Sequence, residues 1–218
     1  MLLDHGLDVN TEGQNEWTPL MYAAGRGCES TVNTLISAGA DITFKDKDGN
    51  NALHLAAGGY NHTIVKTLVD RGLDVNTCGL NDWTPLMRAA KSGCERTLNI
   101  LLEAGADLTC RNGRGDNALH LAAMEGHHKI VKTLVDHGLD VNTRGWNDTT
   151  PLMSAAVFGR ESYRAVADGY ERTVNILIEA GADITCQDQS GNNALYMAVL
   201  GGNRTIFQTL LKLKKEEK

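Results

Sequence analysis

The segment NALHLAA at Asn51–Ala57 recurs unchanged at Asn117–Ala123, 66 residues further along the chain. The identity extends outward, because 23 of 33 positions match when residues 48–80 are aligned with 114–146. Alignment of 48–80 with the intervening residues 81–113 leaves only 6 matches, although Ala-Ala pairs and Gly-x-Asp triplets recur every 33 residues. The chain is therefore a tandem repeat in which two repeat types alternate, and we call those with NALHLAA even and the others odd.

Each repeat predicts two short helices. Odd repeats carry TPLM at Thr18–Met21, Thr84–Met87 and Thr150–Met153, where threonine suits the N-cap and proline the first helical position. In even repeats Asn51, Asn117 and Asn193 take the N-cap. The second helix shows apolar residues at helical spacing and ends at a glycine suited to the left-handed conformation. These glycines are Gly39, Gly72, Gly105, Gly138 and Gly181.

This 33-residue pattern of Thr-Pro-Leu-Met or Asn-Ala-Leu-His, then Ala-Ala, Gly and Gly-Ala-Asp resembles the ankyrin repeat family. The resemblance covers essentially the whole chain, and it implies an all-α solenoid of helix–turn–helix units with β-hairpin-like fingers. We predict one array over 1–218, with about six repeats after an N-terminal half repeat. The boundaries are 1–14 for the half repeat, then 15–47, 48–80, 81–113, 114–146, 147–189 and a C-terminal capping repeat at 190–218.

The chain departs from the family pattern at a pair of turn positions, where the family combines threonine with a histidine three residues later. Odd repeats keep the threonine but place methionine at the second position, as in Thr18 and Met21. Even repeats keep the histidine but place asparagine at the first position, as in Asn51 and His54. We expect capping by threonine or asparagine to persist in both.

The repeat at 147–189 is ten residues longer than the others, and the surplus lies between Ala156 and Thr173. A helical stripe of Tyr163, Val166, Tyr170, Val174 and Leu177 favours a longer second helix, with a loop as the alternative. Gly169 inside that helix would cost roughly 1 kcal/mol. The insertion is either a binding element or a tolerated addition without a role.

Composition excludes several functional classes. A net charge of −6 and a pI of about 5.6 argue against nucleic-acid binding. No apolar run reaches the length of a membrane span, and no secretory signal is visible. Five cysteines without a CxxC pair favour neither disulfides nor a zinc site. We expect a monomer in the cytoplasm, with the nucleus as the alternative, cut from a longer array because the N-terminal half repeat lacks a polar cap.

Catalytic motifs are missing from the sequence. There is no glycine-rich phosphate loop and no His-Glu-x-x-His motif. His127 and His128 are adjacent, and adjacent residues on a helix diverge by about 100°, so they cannot bind one metal ion together. We expect no catalytic residue, no cofactor and no metal.

The remaining candidate is a protein-binding surface. The resemblance implies that the finger tips and first helices form a concave face that binds proteins. Tryptophan, tyrosine and arginine dominate interface hot spots. The candidate partner-binding residues are therefore Trp17, Tyr22, Trp83, Arg88 and Trp146, with Phe158 and Tyr163 from the insertion.

Alternatives remain at several of these positions. Trp17 and Trp83 occupy equivalent positions, so each indole is as well explained by packing across its own turn, whereas Trp146 takes the place of Leu80 and is freer. Tyr60 replaces the glycine equivalent to Gly126 and indicates local strain or a shifted turn more than binding.

We predict a non-catalytic interaction module of an intracellular scaffold or adaptor. Two alternatives are a substrate-recruiting adaptor of a ubiquitin ligase or other enzyme complex, and a passive spacer. Asn10, Asn76 and Asn142 also resemble the asparagines that an asparaginyl hydroxylase modifies in ankyrin repeats, although the same motif is the family's turn consensus.

Overall fold

Helices account for the regular structure of the part of the chain that can be described. The computed structural model describes the backbone of residues 8–158 and 164–216, and the side chains of 8–158 and 168–215. Over these residues there are twelve α-helices and no strand, which confirms the all-α class. The helices are α1 (Pro19–Arg26), α2 (Glu29–Ser37), α3 (Ala52–Gly58), α4 (His62–Asp70), α5 (Pro85–Ser92), α6 (Glu95–Glu103), α7 (Ala118–Met124), α8 (His128–Asp136), α9 (Pro151–Phe158), α10 (Arg164–Glu179), α11 (Ala194–Gly201) and α12 (Arg204–Glu216).

First helices of odd repeats begin as the sequence predicts. The Thr18 hydroxyl accepts a hydrogen bond from the backbone N–H of Met21 at 3.4 Å, and Thr84 and Thr150 accept from equivalent groups at 3.3 Å. Pro19 and Pro85 hold the first helical positions, where the missing N–H has no helical partner. The five glycines predicted to end the second helices all adopt positive φ, between 84° and 89°.

Even repeats form a reciprocal cap between asparagine and histidine. The Asn51 side-chain oxygen accepts from the backbone N–H groups of Leu53 and His54 at 3.1 and 3.3 Å. The Asn51 N–H in turn donates to Nδ1 of the His54 ring at 3.2 Å. Asn117 and His120 repeat this arrangement. Asparagine therefore takes over the capping role of the family threonine, and the histidine keeps its place in the turn.

Contacts divide the chain into two compact units, Met1–Asp107 and Leu108–Lys218, here called the first and second unit. In the first unit α1, α3 and α5 pack side by side, and α2, α4 and α6 pack likewise. In the second unit α9 packs between α7 and α11, while α10 contacts both α8 and α12. The Ala-Ala pairs are buried in the first helices, so small side chains let neighbouring helices approach closely. The single array over 1–218 stays a prediction.

The insertion lengthens the second helix. Helix α10 has 16 residues, whereas α2, α4, α6 and α8 have nine each. Tyr170, Val174 and Leu177 from the predicted stripe are buried, and the Tyr170 hydroxyl donates to the Met124 carbonyl at 2.9 Å. The longer helix is confirmed from residue 164 onward, and residues 159–163 lie outside the described part.

Tyr60 shows the strain that its sequence suggests. Its φ is 62°, close to the 70° of the equivalent Gly126, so a bulky residue holds a conformation that favours glycine. The Tyr60 hydroxyl donates to the carbonyl oxygen of Ser92, which anchors the side chain to the following repeat.

Candidate functional site

The tips of the odd repeats are tight two-residue turns. At each tip an asparagine and the acidic residue after it both have positive φ, and the flanking residues are joined by a backbone hydrogen bond, such as Gly13 N–H to the Trp17 carbonyl at 2.9 Å. This is the backbone of a type I′ turn, which asparagine tolerates well. The pairs are Asn15 and Glu16, Asn81 and Asp82, and Asn147 and Asp148. Sequence reasoning missed these turns, although an Asn-Asp or Asn-Glu pair at each odd tip signals them.

The tips of the even repeats are held differently, by a side-chain oxygen. Oδ1 of Asp46 accepts from the backbone N–H groups of Asp48 and Asn50 at 3.0 and 2.8 Å. Asn112 and Asp188, each at the end of an odd repeat, make the same pair of bonds to the tip of the even repeat that follows. Two rigid tip types therefore alternate and position the residues beside them.

Trp17 bonds to the next tip. Its indole N–H donates to the Asp46 carboxylate at 3.0 Å. Its ring meets Tyr22 edge-on, with 4.9 Å between ring centroids and 64° between planes. Trp17 is half-buried, while Tyr22 is 38% exposed. These two predicted residues are thus adjacent on the first unit.

Trp83 lies under two cationic side chains. The Arg88 guanidinium sits 5.2 Å and the Lys91 ammonium 5.4 Å from the centroid of its ring. Arg88 also donates to Oδ1 of Asn50 at 3.2 Å. Burial lowers the pKa of the Arg88 guanidinium, and the nearby Asp46 charge partly offsets that effect. Contacts through Asp46 and Asn50 therefore gather Trp17, Tyr22, Trp83 and Arg88 into one surface that crosses three successive tips.

Replacement of Arg88 by methionine should lower the free energy of unfolding by about 1–2 kcal/mol, because it removes a desolvated cation–π contact and a charged hydrogen bond. Lys91→Met is the matched control, since Lys91 contacts the same ring but is exposed, and should cost only about 0.5 kcal/mol. Urea denaturation at pH 7 measures both variants. Equal losses for the two would show that the Arg88 hydrogen bond to Asn50 contributes nothing.

In the second unit, Trp146 and Phe158 line one groove of about 360 Å³. Trp146 is 61% and Phe158 is 50% exposed, so both present large apolar surfaces to solvent. Three methionines also line the groove: Met124, Met153 and Met197. Apolar concave surfaces of this kind are typical ligand sites. Tyr163 lies outside the described residues.

A second apolar patch follows on α11, where Tyr196, Val199 and Leu200 are 49%, 58% and 54% exposed. Our candidate residues did not include this patch. Its signal in the sequence is the helix ALYMAVLG, which is apolar on every face, although an isolated surface helix normally has one polar side.

The asparagines singled out for modification connect neighbouring repeats. The Asn76 amide accepts from the Asp107 N–H at 2.7 Å and donates to the Gly105 carbonyl at 3.2 Å. Asn142 makes the equivalent bonds to Asp183 and Gly181, and Asn10 accepts from Asp41. In the folded chain these side chains are structural bridges, and their hydroxylation stays a prediction.

Among the side chains that the structure describes, 8–158 and 168–215, no three or more His, Cys, Asp or Glu cluster closely enough to hold a metal ion. None of the helices described has the length and apolar character needed to cross a membrane.

Two family models match the chain, and both describe ankyrin repeats. A family model described as ankyrin repeats (3 copies) matches residues 1–46, 29–112 and 104–164. A second, described as ankyrin repeats (many copies), matches residues 162–211. No curated protein matches the chain.

Proposed function

Because the chain belongs to the ankyrin repeat family, we propose that it is a non-catalytic module that binds a segment of a protein partner along its tips and first helices. Ankyrin repeats generally act as protein–protein interaction modules. A cytoplasmic scaffold or adaptor is the setting that suits such a module.

The groove of the second unit is the observation that carries this proposal. Two large side chains of the same groove, Trp146 and Phe158, are at least half exposed. Exposed apolar surface is costly to keep in water, and continuous patches of it mark interaction sites. By contrast Trp17 and Trp83 of the first unit are half-buried and engaged with neighbouring side chains, so neither is a free anchor.

The double substitution Trp146→Ser with Phe158→Ser should abolish partner capture from cell lysate, because it removes both exposed anchors and leaves the buried core intact. The matched control is Leu80→Ser, which changes the equivalent tip position of the first unit, where Leu80 is 46% exposed. Circular dichroism must show equal helix content for all three proteins.

Three results are informative. Loss of the same partner with the double variant, but not with the control, supports the proposal. Retention by the double variant places binding elsewhere, for example on the first unit. A wild-type chain that captures nothing above background would favour the spacer.

A further inference from the structure

We propose that the groove of the second unit receives a partner segment that presents an aromatic side chain beside an arginine, taking the place that Trp83 and Arg88 fill in the first unit. This inference rests on the proposed function and specifies the chemistry of the bound partner. It follows from a comparison of two of the odd repeats, 81–113 and 147–189.

The duplicated repeats differ where the groove lies. Residues 81–113 and 147–158 share the TPLM cap and the buried Ala-Ala pair, so they place equivalent residues alike. Three bulky residues of the first unit have small counterparts in the second, and all three counterparts line the groove. Thr149 replaces Trp83, Ser154 replaces Arg88 and Val157 replaces Lys91. The groove is therefore the space from which an indole and two cationic side chains are missing.

The walls of the groove suit an aromatic side chain. Trp146 and Phe158 stand exposed at its sides, and Met153 and Met197 are at most 9% exposed in its floor. Aromatic rings pack favourably edge to face, and the methionine thioether adapts its shape to such rings. The volume of about 360 Å³ lies within the usual range of ligand pockets.

The charge of the groove favours a cationic group on the ligand. In the first unit Arg88 donates to Asn50. The equivalent of Asn50 is Asp116, only 5% exposed, and the equivalent of Arg88 is Ser154, so the acceptor has gained a full charge while the cation is gone. Oδ1 of Asp116 accepts from the backbone N–H of Trp146 at 2.9 Å, which holds the carboxylate in position.

The other charged residues along the groove do not remove its excess of negative charge. Asp188 is a second carboxylate, but its oxygens already accept from Ser190, Asn192 and Asn147. Arg114 is exposed and is the one basic side chain among the groove-lining residues. Two groove-lining carboxylates therefore face one guanidinium. Behind Asp116, burial lowers the pKa of His120, and the Arg111 guanidinium donates to the carbonyls of Gly115 and Arg144 and to the Thr143 hydroxyl. A planar guanidinium is the cation that best matches a buried carboxylate.

Phage-displayed random dodecapeptides provide the test. They are selected on the wild-type chain and counter-selected on the filled-groove variant Thr149→Trp, Ser154→Arg, Val157→Lys, which restores the residues of the first unit. Enriched peptides should carry an aromatic residue within two positions of an arginine. A synthetic peptide of the enriched sequence should bind Asp116→Asn about tenfold more weakly, as expected for loss of a charge-assisted hydrogen bond. Ser154→Arg alone is the second filled-groove variant if the triple variant does not fold.

The outcomes separate this inference from the proposed function. Enriched peptides that are aromatic but lack a basic residue, or that bind Asp116→Asn unchanged, overturn the arginine assignment while groove binding stands. No enrichment over the filled-groove variant overturns the inference entirely. The capture experiment with the Trp146 and Phe158 variant then decides the proposed function independently.

Discussion

Substitution of Gly201 by alanine should lower the free energy of unfolding by about 3 kcal/mol, against the usual trend. Alanine in a helix is normally about 1 kcal/mol more favourable than glycine. Here an added Cβ would lie 2.9 Å from the Ala156 carbonyl oxygen, and closer still to that of Val157. Both atoms belong to the backbone of α9, which cannot move aside without disturbing its own packing, and overpacking of this kind costs about 1–3 kcal/mol or more.

Gly58→Ala is the matched control, because Gly58 also lies at the end of a first helix but has no atom within 4 Å of an added Cβ. The equivalent Met124 shows that a side chain is accommodated there. This variant should be unchanged or more stable by up to about 1 kcal/mol. Urea denaturation followed by circular dichroism measures both. If Gly201→Ala matched or exceeded the wild type, the close contact between α9 and α11 would be wrong.

Acidification from pH 6.5 to pH 4 should destabilise the chain by about 3 kcal/mol through His54 alone. Burial lowers the pKa of His54 from its ordinary 6.5 to about 4, although hydrogen bonding to the Trp83 carbonyl opposes the shift. The unfolded chain therefore takes up a proton in this range that the folded chain does not, so stability is complete above pH 6.5 and is lost as the pH falls towards 4. Burial lowers the pKa of His120 as well, which adds to the loss.

The odd repeats supply the control for this prediction. Changing Asn51→Thr with His54→Met, and Asn117→Thr with His120→Met, introduces the cap that odd repeats already use. The variant should be less stable at pH 7, since His54 no longer donates to the Trp83 carbonyl, but its stability should be nearly constant between pH 6.5 and 4. The carboxylates whose pKa is lowered, such as Asp41 and Asp183, lose their contribution only below this window.

A rise in stability on acidification would point to the hydrogen-bond partners of the His54 ring. Oδ1 of Asn51 lies 2.8 Å from one ring nitrogen of His54 and the Trp83 carbonyl lies 3.0 Å from the other, and two oxygens favour a protonated ring. Stability that rises on acidification would show that these oxygens outweigh burial.

The repeat pattern predicted the fold well because the signals are local and recur. Threonine or asparagine before each first helix marks its start, and the cap bonds of Thr18 and Asn51 form within a few residues. The resemblance to the ankyrin repeat pattern also identified His54 as a turn residue. What the sequence analysis missed was the left-handed pair at each odd tip, because the Asn-Glu or Asn-Asp pair there was not recognised as a turn signal.

The candidate site was less predictable, because its character depends on contacts between repeats. Trp17 and Trp83 are equivalent in sequence, yet one bonds to Asp46 and the other lies under Arg88 and Lys91. Trp146 does not share the sequence position of Trp17 and Trp83, which is why its greater freedom could be predicted. The groove beside it results from the substitutions at Thr149, Ser154 and Val157. These change side-chain volume but leave the TPLM and Ala-Ala motifs intact. Such a space becomes evident only when the neighbouring helices are in place.

The bonds between repeats also bear on how such an array can change in length. His54 and Asn76 of an even repeat both bond to the odd repeat that follows, and His120 and Asn142 do the same. In odd repeats threonine occupies the position equivalent to Asn76. Thr43 and Thr185 bond to aspartates of their own repeat and not to the next repeat. Deletion of an even repeat or insertion of an odd one would place two odd repeats side by side, and threonine at the position of Asn76 would leave the aspartate N–H of the second without its asparagine acceptor. A gain or loss of two repeats preserves every partner. Duplication in a gene of this kind should therefore proceed in steps of 66 residues.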